Sequence, residues 1–207
     1  PSDPQVIRSF SIDTRTLVPG DLFVALKGEH SDGHQFLQAA FGKGASGALI
    51  DERQRAAVLA ESQKGNWTIR NLLAVSDPQQ AMTQLAQEYR RSLAVKIIGI
   101  TGSVGKTTTK EFLHYLLRRQ HAVLATAGNL NNHLGVPIML SRLEPEHQFC
   151  VLEMGASHRG EIRDLAALAK PAGGILTPIA PAHLEGFGSL ENIYRTKLEL
   201  AESLERQ

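Results

Sequence analysis

Apolar and polar positions follow two periods along this chain. Short, nearly continuous apolar runs at residues 22–26, 47–50, 67–75, 122–125, 148–154 and 173–177, with another opening at Val95, have the length and the glycine, proline or polar borders of buried strands. Between them, residues 34–41, 53–62, 79–91, 106–119, 161–169 and a stretch from Ser189 have helical composition or spacing. Ser76-Asp-Pro supplies a cap and a first-turn proline for the segment that carries Met82, Leu85, Ala86 and Tyr89 at helical intervals. In 106–119, Phe112, Leu113, Leu116 and Leu117 form the stripe expected to be buried. Strand and helix alternate at least four times in the second part, which right-handed crossovers turn into a mostly parallel sheet with helices on both faces. The expected fold is α/β: a small N-terminal α/β domain over 1–77, then a mostly parallel, doubly wound domain over 78–207.

One junction between elements carries chemistry. After the run at Val95 comes a glycine-rich turn, then Lys106 and three threonines that open a helix. Turn amides backed by the positive end of a helix dipole make an anion site suited to a nucleotide polyphosphate. Gly102 and Gly105 let the backbone approach phosphate oxygens, Lys106 reaches the terminal phosphates, and the Thr107 hydroxyl is placed for Mg2+. This is the short Gly-x-x-Gly-Lys-Thr form, because Ile100 stands where the longer pattern has its first glycine. A kinase or GTPase of the phosphate-loop class would carry the longer pattern and a base-reading motif.

Other polar positions gather where loops are expected. Glu153 ends a strongly apolar strand, at the carboxyl edge where open α/β sheets bind ligands, and is a candidate to hold Mg2+. The loop 128–137 holds three asparagines and a histidine; its amides bind phosphates, sugar hydroxyls or metal-bound water, and equally well stabilise a turn. His183 lies in a glycine- and proline-rich loop, and Lys197, taken alone, reads as a solvated charge. In the first part, Asp13, Thr14, Arg15, Lys27, His30, Asp32 and His34 are turn chemistry one by one and a polar ligand site if they converge.

Composition narrows the partners. With 22 Lys and Arg against 21 Asp and Glu, the formal charge is +1, so no general field favours nucleic acid or an anionic membrane, and anion binding must be local. Aromatic residues are few, at 5%, so aliphatic packing must build the cores. The single cysteine, Cys150, stands in an apolar run and reads as a small buried hydrophobe, in keeping with a reducing compartment. No apolar run has the length of a membrane span and no secretory leader is evident, so the cytoplasm is the expected location. The chain opens at Pro1 and closes at Gln207 on a charged helical pattern, and both ends are expected to be cut.

Read together, Ile100-Thr-Gly-Ser-Val-Gly-Lys-Thr-Thr-Thr-Lys-Glu111, Gly128-Asn-Leu-Asn-Asn-His-Leu-Gly-Val-Pro137, Glu153-Met-Gly-Ala156 and Ala182-His-Leu-Glu-Gly-Phe-Gly-Ser189 resemble the ATP-dependent Mur ligases of peptidoglycan synthesis. The opening Ser11-Ile-Asp-Thr-Arg15, Pro19-Gly-Asp-Leu-Phe-Val-Ala-Leu-Lys-Gly28 and Asp32-Gly-His34 resemble that family's UDP-binding N-terminal domain. The Thr-Thr-Thr-Lys-Glu and Asn-Leu-Asn-Asn segments favour the branch joining D-Ala-D-Ala to UDP-N-acetylmuramoyl-tripeptide over the one adding the third amino acid.

The resemblance implies ATP and Mg2+ as cofactors and an acyl-phosphate route. It places Lys106, Gly102, Ser103, Gly105, Thr107 and Thr108 on ATP, Thr107 and Glu153 on one metal ion, and His183 on a second. Lys197 falls where relatives carry a carbamylated lysine, and Lys106, Glu153, His183 and Lys197 would form the catalytic set. Asn131 and Asn132 would contact nucleotide or substrate, and Thr14, Arg15, Lys27 and His34 the UDP end. A monomer without nucleic-acid partners or membrane insertion is implied. Two departures stand out: Pro178 replaces a frequent Asn, and Thr14 replaces a Ser. The family also has a third domain and a longer central one, so these residues are expected to bind ligand without turnover. A nucleotide-binding module without ligase chemistry is the alternative.

Overall fold

Two four-stranded parallel sheets, each with its own helices, organise the computed structural model, which describes residues 7–182 and 184–204. The described residues divide into two compact units between Ala86 and Gln87.

In the first unit, β1 (Phe10–Ser11), β2 (Leu22–Val24), β3 (Gly47–Asp51) and β4 (Leu72–Val75) lie side by side in chain order. Phe10 is opposite Leu22, Leu22 opposite Gly47, and Ala48 opposite Leu72. β2 and β3 are buried along almost their whole length, which explains why they read as unbroken apolar runs. A 3-10 turn at Gly33–Phe36 leads into α1 (Leu37–Gly42), and another at Glu52–Gln54 into α2 (Arg55–Gly65). Phe23, Leu37, Ile50 and Val58 sit at the centre of the core. The strand expected over 67–75 pairs only from Leu72, because its first residues are spent on leaving α2. Asn66 takes a left-handed φ of 49°, the Trp67 N–H returns to Ser62 O, and the Trp67 ring stacks on Phe41 at 5.7 Å.

α3 (Pro78–Arg91) contains the division between units. Its cap is Asp77, whose Oδ1 accepts from the Gln80 N–H at 2.9 Å. Met82 and Ala86 are fully buried, whereas Leu85 and Tyr89 are exposed.

The second unit contains β5 (Lys96–Thr101), β6 (Val123–Ala125), β7 (Phe149–Glu153) and β8 (Gly173–Leu176), in the order β6-β7-β5-β8. Its helices are α4 (Lys106–Leu117), α5 (Gly135–Ser141), α6 (Glu161–Ala169), α7 (Leu184–Phe187) and α8 (Leu190–Leu204). From β5 the chain passes to the edge strand β6, returns to β7, then jumps over β5 to β8. Right-handed crossovers in opposite directions put α4 on one face and α6 on the other, so the connections leaving β5 and β7 part company at adjacent strand ends. That divergence is the switch point where open α/β sheets bind ligands.

Three expectations change here. Phe112 and Leu116 are exposed at 66% and 48%; the packed stripe of α4 runs instead through Lys106, Thr109, Lys110, Leu113, His114 and Leu117. The helix is held against the sheet by polar contacts in its first two turns, and these set its rotation. Residues from Gly135 form a buried helix rather than loop, and α7 interrupts the Gly/Pro-rich segment 178–189. Cys150 is fully buried as expected, and burial pushes its thiol up to about 12.

Candidate active site

The glycine turn between β5 and α4 is shaped from the β8 side. The Ser103 and Val104 N–H groups both donate to Pro178 O, at 3.1 and 3.2 Å, and the Thr177 hydroxyl donates to Thr101 O at 3.2 Å. Pro178 therefore serves through its carbonyl, a role that needs no amide side chain. At Gly102 a Cβ would stand 2.0 Å from Thr177 Oγ1, and φ is 145°, so glycine alone fits. The first helical bond of α4 joins the Thr109 N–H to Gly105 O at 2.9 Å. The amides of Lys106, Thr107 and Thr108 precede it and point out of the helix N-terminus, where they suit an anion. Lys106 Nζ folds back to donate to Gly102 O and Ser103 O, at 2.9 and 3.3 Å. Ser103 Oγ is buried without a hydrogen-bond partner among the described residues.

Glu153, 3% exposed at the end of β7, lies opposite Ile100 of β5 and so next to this turn. Its Oε2 accepts from Thr107 Oγ1 and its Oε1 from Asn131 Nδ2, each at 3.0 Å. A hydroxyl and a carboxylate in contact are hard oxygen donors of the kind Mg2+ takes. Among the described residues, no group of three or more His, Cys, Asp or Glu is placed to hold a metal ion.

Ser103, Lys106, Asn131, Asn132, Glu161 and Lys197 line one cavity of about 370 Å3. Asn132 is turned to a structural task, its Oδ1 accepting from the Leu134 and Gly135 N–H groups at 3.2 and 2.9 Å to start α5. Lys197 is not a solvated charge: it is 3% exposed, with Nζ 3.4 Å from Ala156 O and 5.5 Å from the Phe187 ring centroid. Burial, helped by the Lys106 charge, brings its ammonium down to about 8. His183 lies outside the described residues.

In the first unit, parallel pairing brings the segments after β1, β2 and β3 to one edge of the sheet. Thr14 and Arg15 follow β1, with Arg15 in a two-pronged pair with Asp13, and Lys43 Nζ donates to Thr14 O at 2.8 Å. Lys27 follows β2 and is exposed, and after β3 a second two-pronged pair joins Arg53 to Asp51. His34 is buried and internally engaged: Nε2 accepts from the Asp51 N–H at 3.1 Å, which leaves the proton on Nδ1, 2.6 Å from Asp32 Oδ1. It holds the β3 end in place rather than offering a nitrogen to a ligand.

Several residues that build this architecture carry no signal in the sequence motifs. Glu161 accepts from the Ser157 and His158 N–H groups, and Glu199 of α8 accepts from the Gly160 and Arg163 N–H groups. Both are glutamates beside a helix start, but the second comes from a different helix and is invisible to local pattern. Thr126 is also buried, as is Lys110, whose segment Thr-Thr-Thr-Lys-Glu carries a resemblance but no role for the lysine.

Comparison with known proteins covers both units. Residues 6–90 match the model described as Mur ligase family, catalytic domain, and residues 100–207 match the Mur ligase middle domain. The chain belongs to the Mur ligase family. Similar Mur ligases include the UDP-N-acetylmuramoyl-tripeptide--D-alanyl-D-alanine ligases of Escherichia coli, 42% identical over 93% of this chain, and Bacillus subtilis, 39% identical over 96%. The chain spans 40% and 42% of those relatives' lengths, respectively. Among solved structures, MurF from Acinetobacter baumannii aligns with a TM-score of 0.77 at 38% identity, covering 96% of this chain and 41% of that one. MurF ligase from Thermotoga maritima in complex with ADP aligns at 0.76 and 33% identity, covering 97% and 44%.

Proposed function

We propose that this chain is the substrate- and nucleotide-binding part of an ATP-dependent ligase that joins D-Ala-D-Ala to UDP-N-acetylmuramoyl-tripeptide. The observation that carries the reading is the buried Glu153 carboxylate held between the Thr107 hydroxyl and the Asn131 amide, beside the free amides that open α4. The names of the similar ligases supply the substrates. In this reading the amides of Lys106, Thr107 and Thr108 and the Lys106 ammonium hold the ATP phosphates, with Ser103 Oγ available as a further donor. Thr107 and Glu153 hold Mg2+, which when bound offsets the charge on the transferring phosphoryl group. The γ-phosphoryl passes to the terminal carboxylate of the tripeptide and ADP departs; the D-Ala-D-Ala amine then attacks the acyl carbon, and phosphate leaves as a proton is lost.

Lys197 fits a carbamate. Its buried amine, brought down to about 8, is neutral in part near neutral pH, and an amine in that form adds CO2 with loss of a proton. The product carries a carboxylate in place of a cation and is able to bind Mg2+. Thr14, Arg15 and Lys27, on the carboxyl edge of the first sheet, take the UDP end. The protein acts in the cytoplasm as a monomer; no helix among the described residues is long and apolar enough to cross a membrane.

Calorimetric titration with UDP-N-acetylmuramoyl-tripeptide tests the substrate. Saturable binding that weakens in Arg15→Ala is expected, and no binding would remove the assignment. With ATP, Mg2+ and both substrates added, these 207 residues are expected to release phosphate at the background rate, since relatives are more than twice as long. Substrate-dependent release would refute that part.

A further inference from the structure

We propose that Lys110 is a positioning residue for the Glu153 carboxylate, acting through Thr126; this rests on the reading of Glu153 as a metal ligand. Lys110 lies one turn along α4 from Thr107 and is 3% exposed. Its Nζ donates to Thr126 O at 2.9 Å and pairs with the exposed Glu111 carboxylate at 2.7 Å. Thr126, 2% exposed, is the residue just past β6.

The hydrogen bonds around Thr126 depart from a parallel ladder in a way that depends on this lysine. β6 and β7 pair with Ala125 opposite Val151, and the Thr126 N–H continues the ladder to Val151 O at 3.0 Å. In an unbroken ladder the next bond runs from the Glu153 N–H to Thr126 O. Here the Glu153 N–H donates to Thr126 Oγ1 at 2.8 Å, and the carbonyl is taken by Lys110. A side-chain hydroxyl replaces a backbone carbonyl, the strand is released at Thr126, and the chain turns off toward the loop that carries Asn131. Glu153 is thus fixed at both ends: its backbone by Thr126, and its carboxylate by Thr107 and Asn131. α4 supplies two of these links, Thr107 directly and Lys110 through Thr126.

A buried ammonium is a costly way to fill space, and an apolar side chain would pack there at lower cost. What a lysine adds is a donor that holds the Thr126 carbonyl out of the ladder. Without it the carbonyl can reclaim the Glu153 N–H, extending β6 by a residue and shifting the Asn131 loop against the carboxylate. Groups that orient a ligand in this way change metal affinity by roughly 10–100-fold when removed.

The test is ADP affinity measured by calorimetry with and without Mg2+, in the protein and in Lys110→Met, Lys110→Arg, Thr126→Val and Glu153→Gln. Mg2+ is expected to strengthen ADP binding in the unaltered protein, and Glu153→Gln to abolish that gain; if either result fails, the metal reading itself falls. Given both, Lys110→Met and Thr126→Val are expected to lose roughly tenfold or more of the gain, with ADP affinity in the absence of Mg2+ unchanged and Lys110→Arg recovering part. A folded Lys110→Met that keeps the full gain overturns the proposal. Should Lys110→Met fail to fold, Thr126→Val, which removes one hydroxyl at nearly constant volume, decides in its place: a full gain there overturns the proposal equally.

Discussion

Lys197 concentrates the electrostatic tension of the site in one side chain. Its ammonium is buried beside the charge of Lys106, which holds it near 8 against an ordinary 10.5. Below pH 8 it is protonated in the folded and unfolded chains alike, and the folded state bears the full cost of burial. As pH rises from about 8 to 10.5 the folded chain has released the proton while the unfolded chain keeps it, so that cost fades. Stability should therefore gain on the order of 3 kcal/mol across this window from Lys197 alone. Urea melts in CO2-free buffer, compared with Lys197→Met, isolate the effect: the two stability curves should converge as pH rises, and parallel curves would show that the lysine is not held neutral. This burial could not be read from composition. The lysine belongs to a helix whose packed side becomes known only once α8 is laid against β5 and β8. Glu153 was legible because an apolar run ending in a carboxylate beside a phosphate loop has few structural uses. His34 is expected at the UDP end, but its two ring nitrogens are claimed by Asp32 and the Asp51 N–H, a pairing across 17 positions that no local motif announces.

Among the elements, α6 shows how a wall of the cavity is braced from a distance. Its cap position is Gly160, with φ of 87° and no side chain to cap, and the free N–H groups of Gly160 and Arg163 are taken by Glu199 of α8 at 2.9 and 3.0 Å. A carboxylate at a helix N-terminus satisfies these donors and meets the helix dipole favourably. Glu199→Ala should cost about 1–2 kcal/mol in a thermal or urea melt, and Glu199→Gln less, since it keeps an acceptor; an unchanged midpoint in Glu199→Ala would deny the cap. The strands from β2 onward and most helices follow from hydrophobic period, whereas the two residues of β1 are too few to show one. Three helices escape it for identifiable reasons. α4 is turned so that Lys106, Thr109 and Lys110 share the packed stripe with Leu113 and Leu117, while an apolar-only reading prefers Phe112 and Leu116. α5 hides behind glycine and proline that suggest a loop, yet Asn132 caps it and all its residues are buried. α7 has four residues, too few to show a period.

At the scale of the whole molecule, each sheet carries one candidate site. The first gathers Thr14, Arg15, Lys27 and Arg53 on the carboxyl edge of parallel strands; the second sets a glycine turn beside a buried carboxylate at its switch point. The chain covers about two fifths of its ligase relatives and contains the regions that match two of the family's domain models. Everything proposed for the second unit depends on the turn at residues 102–107 holding a nucleotide through Lys106 and the amides that open α4. Calorimetric titration of the protein and of Lys106→Ala with ADP in the presence of Mg2+ asks this without intermediaries. Saturable binding at one site per chain is expected, weakened about tenfold or more in Lys106→Ala because a charge-assisted hydrogen bond to phosphate is worth roughly 1.5–3 kcal/mol. Absence of binding, or equal affinity in the two proteins, would overturn it.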